Sequence, residues 1–84
     1  MSYVVKFKSR ALKYLQSLDR APRERIEARI RALAENPRGH GVIPLQGRDG
    51  YRARVGVYRI VFTIDDGSLV VLVLDIDHRR DVYR

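Results

Sequence analysis

The chain has 84 residues and no cysteine, and its 17 basic and 10 acidic side chains give a formal charge of +7. Hydrophobic residues make up 45% and charged residues 32%, which is typical of a folded domain and argues against disorder. The absence of cysteine excludes disulfide bonds and thiolate zinc sites. We expect residues 1–84 to form a single domain with one modest hydrophobic core.

Two features of the sequence favour a cytoplasmic protein without membrane contact. Residues 1–10 lack the apolar stretch of a signal peptide, and the longest apolar run, residues 69–74, is too short to span a bilayer. A secreted domain of this size without disulfide bonds would also be unusual.

Fourteen of the basic residues are arginine, and no segment is a pure charge block. We therefore expect a folded domain with a basic surface that binds a polyanion, either nucleic acid or an acidic protein segment.

The first half of the chain predicts one strand and two helices. Residues 3–7 are rich in β-branched and aromatic side chains, which favours a strand. Ser9 suits the N-cap of a first helix, and Pro22 suits the first turn of a second helix over residues 22–34. Asn36-Pro37 ends that helix. Because about three residues join the two helices, they should form an αα-hairpin.

The second half predicts a glycine-rich loop followed by strands. Residues 38–50 read as the loop, with a short extended piece at 42–45. Three strands then follow at residues 51–55, 58–64 and 69–76, and the short turns between them predict an antiparallel meander. The order β-α-α-β-β-β predicts an α+β fold in which the helices pack on one face of the sheet and leave the other face open.

Side chains alternate between the two faces of a strand, so the pattern predicts which residues face the helices. We expect the more apolar sets to lie under the helices; in the last strand these are Val70, Leu72, Leu74 and Ile76. Arg52, Arg54 and Arg59 then converge on the open face, with Asp75 across from them. Arg79, Arg80 and Tyr83 follow just beyond the end of the sheet.

Such an arginine cluster has two interpretations. The guanidinium fork can donate two hydrogen bonds to one phosphate, and a neighbouring aromatic ring can stack on a nucleobase, so the cluster favours a nucleic-acid site. Alternatively, the arginines are ion-pair partners of Asp75 and Asp77 and have a purely structural role. The sequence pattern alone leaves both open.

Residues 50–62, Gly-Tyr-Arg-Ala-Arg-Val-Gly-Val-Tyr-Arg-Ile-Val-Phe, closely resemble toxins of the RelE/ParE superfamily. The terminal residues 77–84, Asp-His-Arg-Arg-Asp-Val-Tyr-Arg, resemble the RelE branch, and residues 33–37 and 45–47 match the same pattern. The resemblance implies an mRNA endoribonuclease that acts, in well-known members, in the ribosomal A site. It also implies a cognate antitoxin, with operator DNA bound only by the toxin–antitoxin complex. We expect no metal or cofactor, because two histidines and scattered aspartates do not make a metal site.

The resemblance also assigns candidate site residues. The residues that match the family pattern are Arg52, Arg54, Arg59, Arg79 and Tyr83. We predict that Arg54, Arg59, Arg79 and Tyr83 are catalytic and that Arg52, Arg80 and His78 contact RNA. Arg79 and Arg80 are rival candidates for one phosphate-binding position. His78 is a candidate because imidazole is a common acid–base group, but its simpler reading is a hydrogen-bonded histidine at a strand end. Two alternative functions stay open, a ParE-like inhibitor of DNA gyrase that does not cut RNA and a passive nucleic-acid-binding module.

Overall fold

The computed structural model describes residues 2–78 and confirms the predicted fold class. In chain order, the elements are β1 (Val4–Phe7), α1 (Ser9–Ser17), α2 (Arg20–Glu35), β2 (Val42–Pro44), β3 (Tyr51–Val55), β4 (Tyr58–Asp65) and β5 (Val70–His78). In this part of the chain, neither helix is both long enough and apolar enough to cross a bilayer.

Two details of the helices differ from prediction. Ser9 is the first residue of α1 rather than its N-cap, and Lys8 takes the N-cap position without a capping side-chain hydrogen bond. The second helix begins at Arg20, two residues before Pro22, so only Leu18 and Asp19 separate α1 from α2. Pro22 is thus in the first turn, where its missing N–H costs no intrahelical hydrogen bond.

The strands form one mixed sheet with the order β1-β5-β4-β3-β2. Strands β3, β4 and β5 form the predicted antiparallel meander, and the short strand β2 adds to the outer side of β3. Strand β1 pairs in parallel with β5, from Val4 opposite Val70 to Phe7 opposite Val73. The first and last strands of the described chain are therefore neighbours, and the helix after β1 starts beside β5.

The hydrophobic core lies between the helices and one face of the sheet. Ile26 and Leu33 of α2 and Phe62 of β4 are fully buried, and Leu15 of α1 closes the same cluster. The stripes that face the sheet are short, since α1 spans 9 residues and α2 spans 16. Burial of these side chains from water is the main stabilising contribution to a domain of this size.

The predicted faces of β5 are wrong over its first half. Val71 and Val73 are fully buried in the core, as is Ile76, whereas Leu72 is only partly buried. The reason is a β-bulge: Val61 pairs with Asp75 and Phe62 pairs with Val73, so Leu74 is an extra residue that shifts the alternation. Because Asp75 follows the bulge, it lies on the opposite face of the strand from the core residue Ile76, as predicted.

Gly50 is the residue before β3, and its backbone requires glycine. Its φ is +126°, and an added Cβ would lie 3.1 Å from the Phe62 carbonyl oxygen and 3.0 Å from a Leu45 methyl group. We expect Gly50→Ala to lower the free energy of unfolding by about 2–3 kcal/mol, since such strained backbone costs about 1–3 kcal/mol before the steric clash. Gly47→Ala is the control. Gly47 also has a positive φ, +76°, but an added Cβ would have no atom within 4 Å, so the substitution should cost only about 1 kcal/mol. Equal losses in urea unfolding would contradict this.

A cluster of polar side chains links the turn after β4 to the loop after α2 and to Tyr3 before β1. Both terminal nitrogens of Arg38 donate to the carboxylate of Asp66, at 2.9 and 2.8 Å, and the Tyr3 hydroxyl donates to Asp66 Oδ1 at 2.7 Å. The Arg38 guanidinium also lies 5.8 Å from the centre of the Tyr51 ring. Hydrogen bonds from Arg38 lower the pKa of Asp66 from 3.8 to about 2, and the bond to Asp66 raises the pKa of Tyr3.

This cluster predicts how stability depends on acid pH. Because the pKa of Asp66 is lower in the folded protein, its contribution is present above pH 3.8 and is lost as the pH falls towards about 2. We expect Asp66→Asn to lower the urea midpoint at neutral pH. The midpoints of the variant and of the unaltered protein should converge as the pH falls to about 2. Asp49→Asn, on an exposed loop, should follow the unaltered protein. If the urea midpoints of Asp66→Asn and the unaltered protein differed as much at pH 2 as at neutral pH, the assigned role of the Asp66 carboxylate would be wrong.

Candidate nucleic-acid interface

The sheet brings Arg52, Arg54 and Arg59 onto the face that is turned away from the helices. Arg54 and Arg59 are direct cross-strand partners in the pairing of β3 with β4. Arg52 is two residues from Arg54 and therefore points to the same side. The neighbouring positions, Ala53 and Ile60, are buried in the core, which fixes the arginines outward. Three of the predicted site residues thus share one surface.

These three arginines differ in how they are held. Arg54 is exposed and Arg52 is partly buried, and neither makes an ion pair or a side-chain hydrogen bond with any residue in 2–78. Arg59 is 31% exposed, and its Nη2 lies 3.4 Å from Asp77 Oδ2. The Nε of Arg59 is buried and has no hydrogen-bond partner within the described chain. The structural interpretation, in which each arginine has its own carboxylate, therefore holds for Arg59 alone.

The two acidic residues of β5 have different partners. Asp77 is directly opposite Arg59 across the β4–β5 ladder, where opposite charges attract. Asp75 is opposite Val61, and its Oδ1 lies 3.4 Å from Nε of Arg10 in α1. Asp77 thus orients Arg59, whereas Asp75 links the sheet to α1.

A surface cleft lies between α1 and the end of β5. Strand β1 stops opposite Val73, where the Lys8 amide donates to the Val73 carbonyl at 2.8 Å, and α1 then runs along the rest of β5. The cleft has a volume of about 780 Å³. Its lining residues come from α1, β4 and β5: Arg10, Lys13, Tyr14, Arg59, Asp75, Ile76 and Asp77. The cleft therefore connects the arginine face to the exposed side of α1.

Sequence reasoning missed Arg10 and Lys13 as members of this surface. Arg10, Lys13 and Tyr14 follow the i, i+3, i+4 spacing of one helix face, which the sequence does show. The missing information is that β1 lies beside β5, because no local pattern specifies which strand pairs with a distant one. Once that parallel pairing is known, the position of α1 follows.

His78 and the terminal candidates have separate outcomes. The imidazole of His78 is partly buried and contacts the Tyr58 ring edge-on, with ring centres 5.4 Å apart and planes at 80°. His78 is the last residue of β5, one residue beyond Asp77. Arg79, Arg80 and Tyr83 lie outside the described residues, so their roles stay predictions.

The described surface suits a phosphate-bearing ligand. Arg52, Arg54 and Arg59 share the face of the sheet that is turned away from the core, and a cleft of about 780 Å³, lined in part by Arg59, adjoins this face. Charge-assisted hydrogen bonds from such groups to phosphate oxygens are about twice as strong as neutral ones. Within residues 2–78, no three His, Asp or Glu side chains are grouped as a metal site would require.

Comparison with known proteins identifies the family. A family model described as the ParE toxin of the type II toxin–antitoxin system parDE matches residues 5–83. The chain belongs to the RelE/ParE superfamily of toxins. Among these toxins, it is 33% identical to a putative RelE-like toxin protein of Escherichia coli, over 99% of this chain and 92% of that protein.

Solved structures place this toxin with the RelE type. The archaeal RelE–RelB complex from Pyrococcus horikoshii OT3 has a similar chain, with a TM-score of 0.82 and 33% identity over 94% of this chain and 97% of that one. The intact E. coli RelBE complex gives a TM-score of 0.82 and 29% identity, over 92% and 96% of the two chains. The predicted superfamily and its RelE branch are confirmed, and the protein is a RelE-type toxin of a type II toxin–antitoxin system.

Proposed function

We propose that this RelE-type toxin is an endoribonuclease that cuts mRNA on the ribosome. The observation that carries the proposal is the pair Arg54 and Arg59, side by side on the open face, with Arg59 Nε buried and without a described partner. A buried donor that lacks a partner is costly. The Arg59 side chain is 31% exposed, so a small rotation of its guanidinium would let a phosphate oxygen of bound RNA supply the missing acceptor.

The proposed reaction is attack by a ribose 2′-oxygen on the adjacent phosphorus. The new O2′–P bond forms as the P–O5′ bond breaks, the 2′-hydroxyl loses its proton and the leaving 5′-oxygen gains one. Arg59 would stabilise the charge that develops on the non-bridging phosphate oxygens, because fixed donors aimed at developing charge lower the barrier. Asp77, 3.4 Å from Arg59, would hold that guanidinium in position.

The other candidates would bind and orient the nucleotide. We assign Arg54 to the scissile phosphate and Arg52 to a flanking one, because they extend the same face along β3. Arg79, or its rival Arg80, would add a second charge on the phosphate, and Tyr83 would stack on a base. Arginine keeps its proton at neutral pH and is therefore a poor proton acceptor, so His78, proposed for RNA contact, is also a candidate for proton transfer. Its packing against Tyr58 would limit its rotation.

A cognate antitoxin is the proposed protein partner. The RelE chains of P. horikoshii and E. coli were solved in complex with RelB. In this chain, an apolar groove of about 400 Å³ lies between β1, α1 and α2 and is lined by Val5, Phe7, Leu12, Leu15, Ile30 and Ala34 with Glu27 and Arg31. An amphipathic segment of an antitoxin would fit such a groove. Operator DNA would be bound by the toxin–antitoxin complex rather than by the toxin alone.

Induced expression of the toxin, with transcriptome-wide mapping of new RNA 5′ ends, tests the function. Ribosome-dependent cleavage should place the cuts at a fixed position within codons and only in translated regions. Cuts in untranslated RNA as well would contradict ribosome dependence.

The competing function is a ParE-like gyrase inhibitor, which the description of the matching family model favours. That activity would leave messages intact and damage DNA. A passive RNA-binding module would give neither cuts nor growth arrest. Intact messages during growth arrest would therefore reject the endoribonuclease and support the gyrase inhibitor.

A further inference from the structure

Helix α1 contributes two cations that the proposed reaction does not use. Arg10 and Lys13 are one turn apart on the same side of the helix and line the cleft that also contains Arg59. Resting on the proposed function, we infer that Arg10 and Lys13 bind the RNA backbone at a phosphate next to the scissile one. Helix α1 is then the second wall of the substrate cleft, opposite β4 and β5.

The way these cations are held supports a binding role. Arg10 is 77% exposed, and its contact with Asp75 is a single 3.4 Å approach, longer than the ~2.7–2.9 Å of a strong charged hydrogen bond. Lys13 is exposed and makes no ion pair within residues 2–78. By contrast, Arg20 contacts Glu24 at 2.8 Å, and Arg38 makes a two-pronged pair with Asp66. The cations of α1 in the cleft are therefore free to take a new anion.

Among the described residues, the charges that line the cleft leave one positive charge unbalanced. Arg10, Lys13 and Arg59 contribute three positive charges, and Asp75 and Asp77 contribute two negative ones. A phosphodiester with one negative charge would neutralise the remainder. It would replace Asp75 as the partner of Arg10, whereas Asp77 keeps its contact with Arg59. Exposed pairs such as Arg10–Asp75 contribute little stability, so the exchange costs little.

The test uses purified toxin and mRNA-programmed ribosomes and follows the cleavage rate as ribosome concentration and salt vary. For Arg10→Ala/Lys13→Ala, we expect the half-saturating ribosome concentration to rise about tenfold with the saturating rate within about twofold. The slope of log affinity against log salt should fall by about 1.4, since each lost contact to single-stranded RNA removes about 0.7. Arg20→Ala/Arg25→Ala removes two exposed charges from α2 and should leave all three quantities unchanged.

A second variant separates phosphate binding from neutralisation of Asp75. If Arg10 only offsets the Asp75 charge, Arg10→Ala/Asp75→Asn would regain normal affinity; we expect it to stay as weak as Arg10→Ala. Normal affinity in the Arg10→Ala/Asp75→Asn variant would overturn the proposed role of α1 but not the proposed function. The same conclusion would follow if Arg10→Ala/Lys13→Ala behaved like the α2 control. Absence of any cleavage by the unaltered toxin overturns the proposed function instead, so the two failures are distinguishable.

Discussion

Replacing Arg59 with alanine should lower the rate of mRNA cleavage on programmed ribosomes by about 10²–10³-fold, since loss of one preorganised donor to a developing negative charge has an effect of that size. Arg59 is the candidate whose position is most constrained, because it lies between Arg54 and Asp77 and its Nε is buried. The fall should appear in the rate at saturating substrate, because the contact strengthens as charge develops.

Two further variants, Arg59→Lys and Arg25→Ala, serve as comparisons for Arg59→Ala. Arg59→Lys keeps the charge but not the planar fork, so we expect it to recover only part of the rate. Arg25→Ala, which removes an exposed charge from α2, should cleave normally. Circular dichroism and urea unfolding should show folded protein in every case, because the 3.4 Å pair with Asp77 is partly exposed and contributes little stability. A folded Arg59→Ala protein that cleaves at the normal rate would remove the phosphate-stabilising role.

The largest expected effect on stability is that of Phe62→Ala. Phe62 is fully buried in the centre of β4, and its ring stacks on Tyr51 with centres 5.9 Å apart. Truncation removes apolar contact and leaves a cavity, which typically costs about 3–5 kcal/mol. Since small domains have a total stability of about 5–15 kcal/mol, we expect a large fall in the urea midpoint with little change in the denaturant slope.

Val57→Ala is the matched control for the core. Val57 is 47% exposed in the turn between β3 and β4, so its truncation should change stability by less than about 0.5 kcal/mol. Similar losses for Phe62→Ala and Val57→Ala would show that the core between the sheet and the helices is not the main source of stability.

Local patterns predicted the elements of this fold well but not all of their pairing. The meander β3–β4–β5 follows from short turns, and α2 follows from apolar residues at helical spacing, with its start two residues from the predicted one. The faces of the first half of β5 were predicted incorrectly because the bulge at Leu74 inserts one residue. A bulge depends on how two strands meet, and strict alternation along one strand contains no sign of it.

The candidate site was predicted in part for the same reason. Arg52, Arg54 and Arg59 are on two consecutive strands, so alternation and a two-residue turn were enough to bring them together. The contribution of Arg10 depends on β1 pairing with β5, which joins residues more than 60 positions apart. Contacts of such long sequence separation are set by the packing of the whole domain.

The lengths of the outer strands have a consequence for self-association. Strand β1 has four residues and β2 has three, and Pro44 in β2 has no amide hydrogen to donate. Each border of the sheet therefore offers few unpaired peptide groups to a second molecule, and Lys6 places a charge on one of them. Fibril-like stacking of copies through these borders is thus disfavoured, even though the interior strands β4 and β5 are rich in β-branched and large apolar residues.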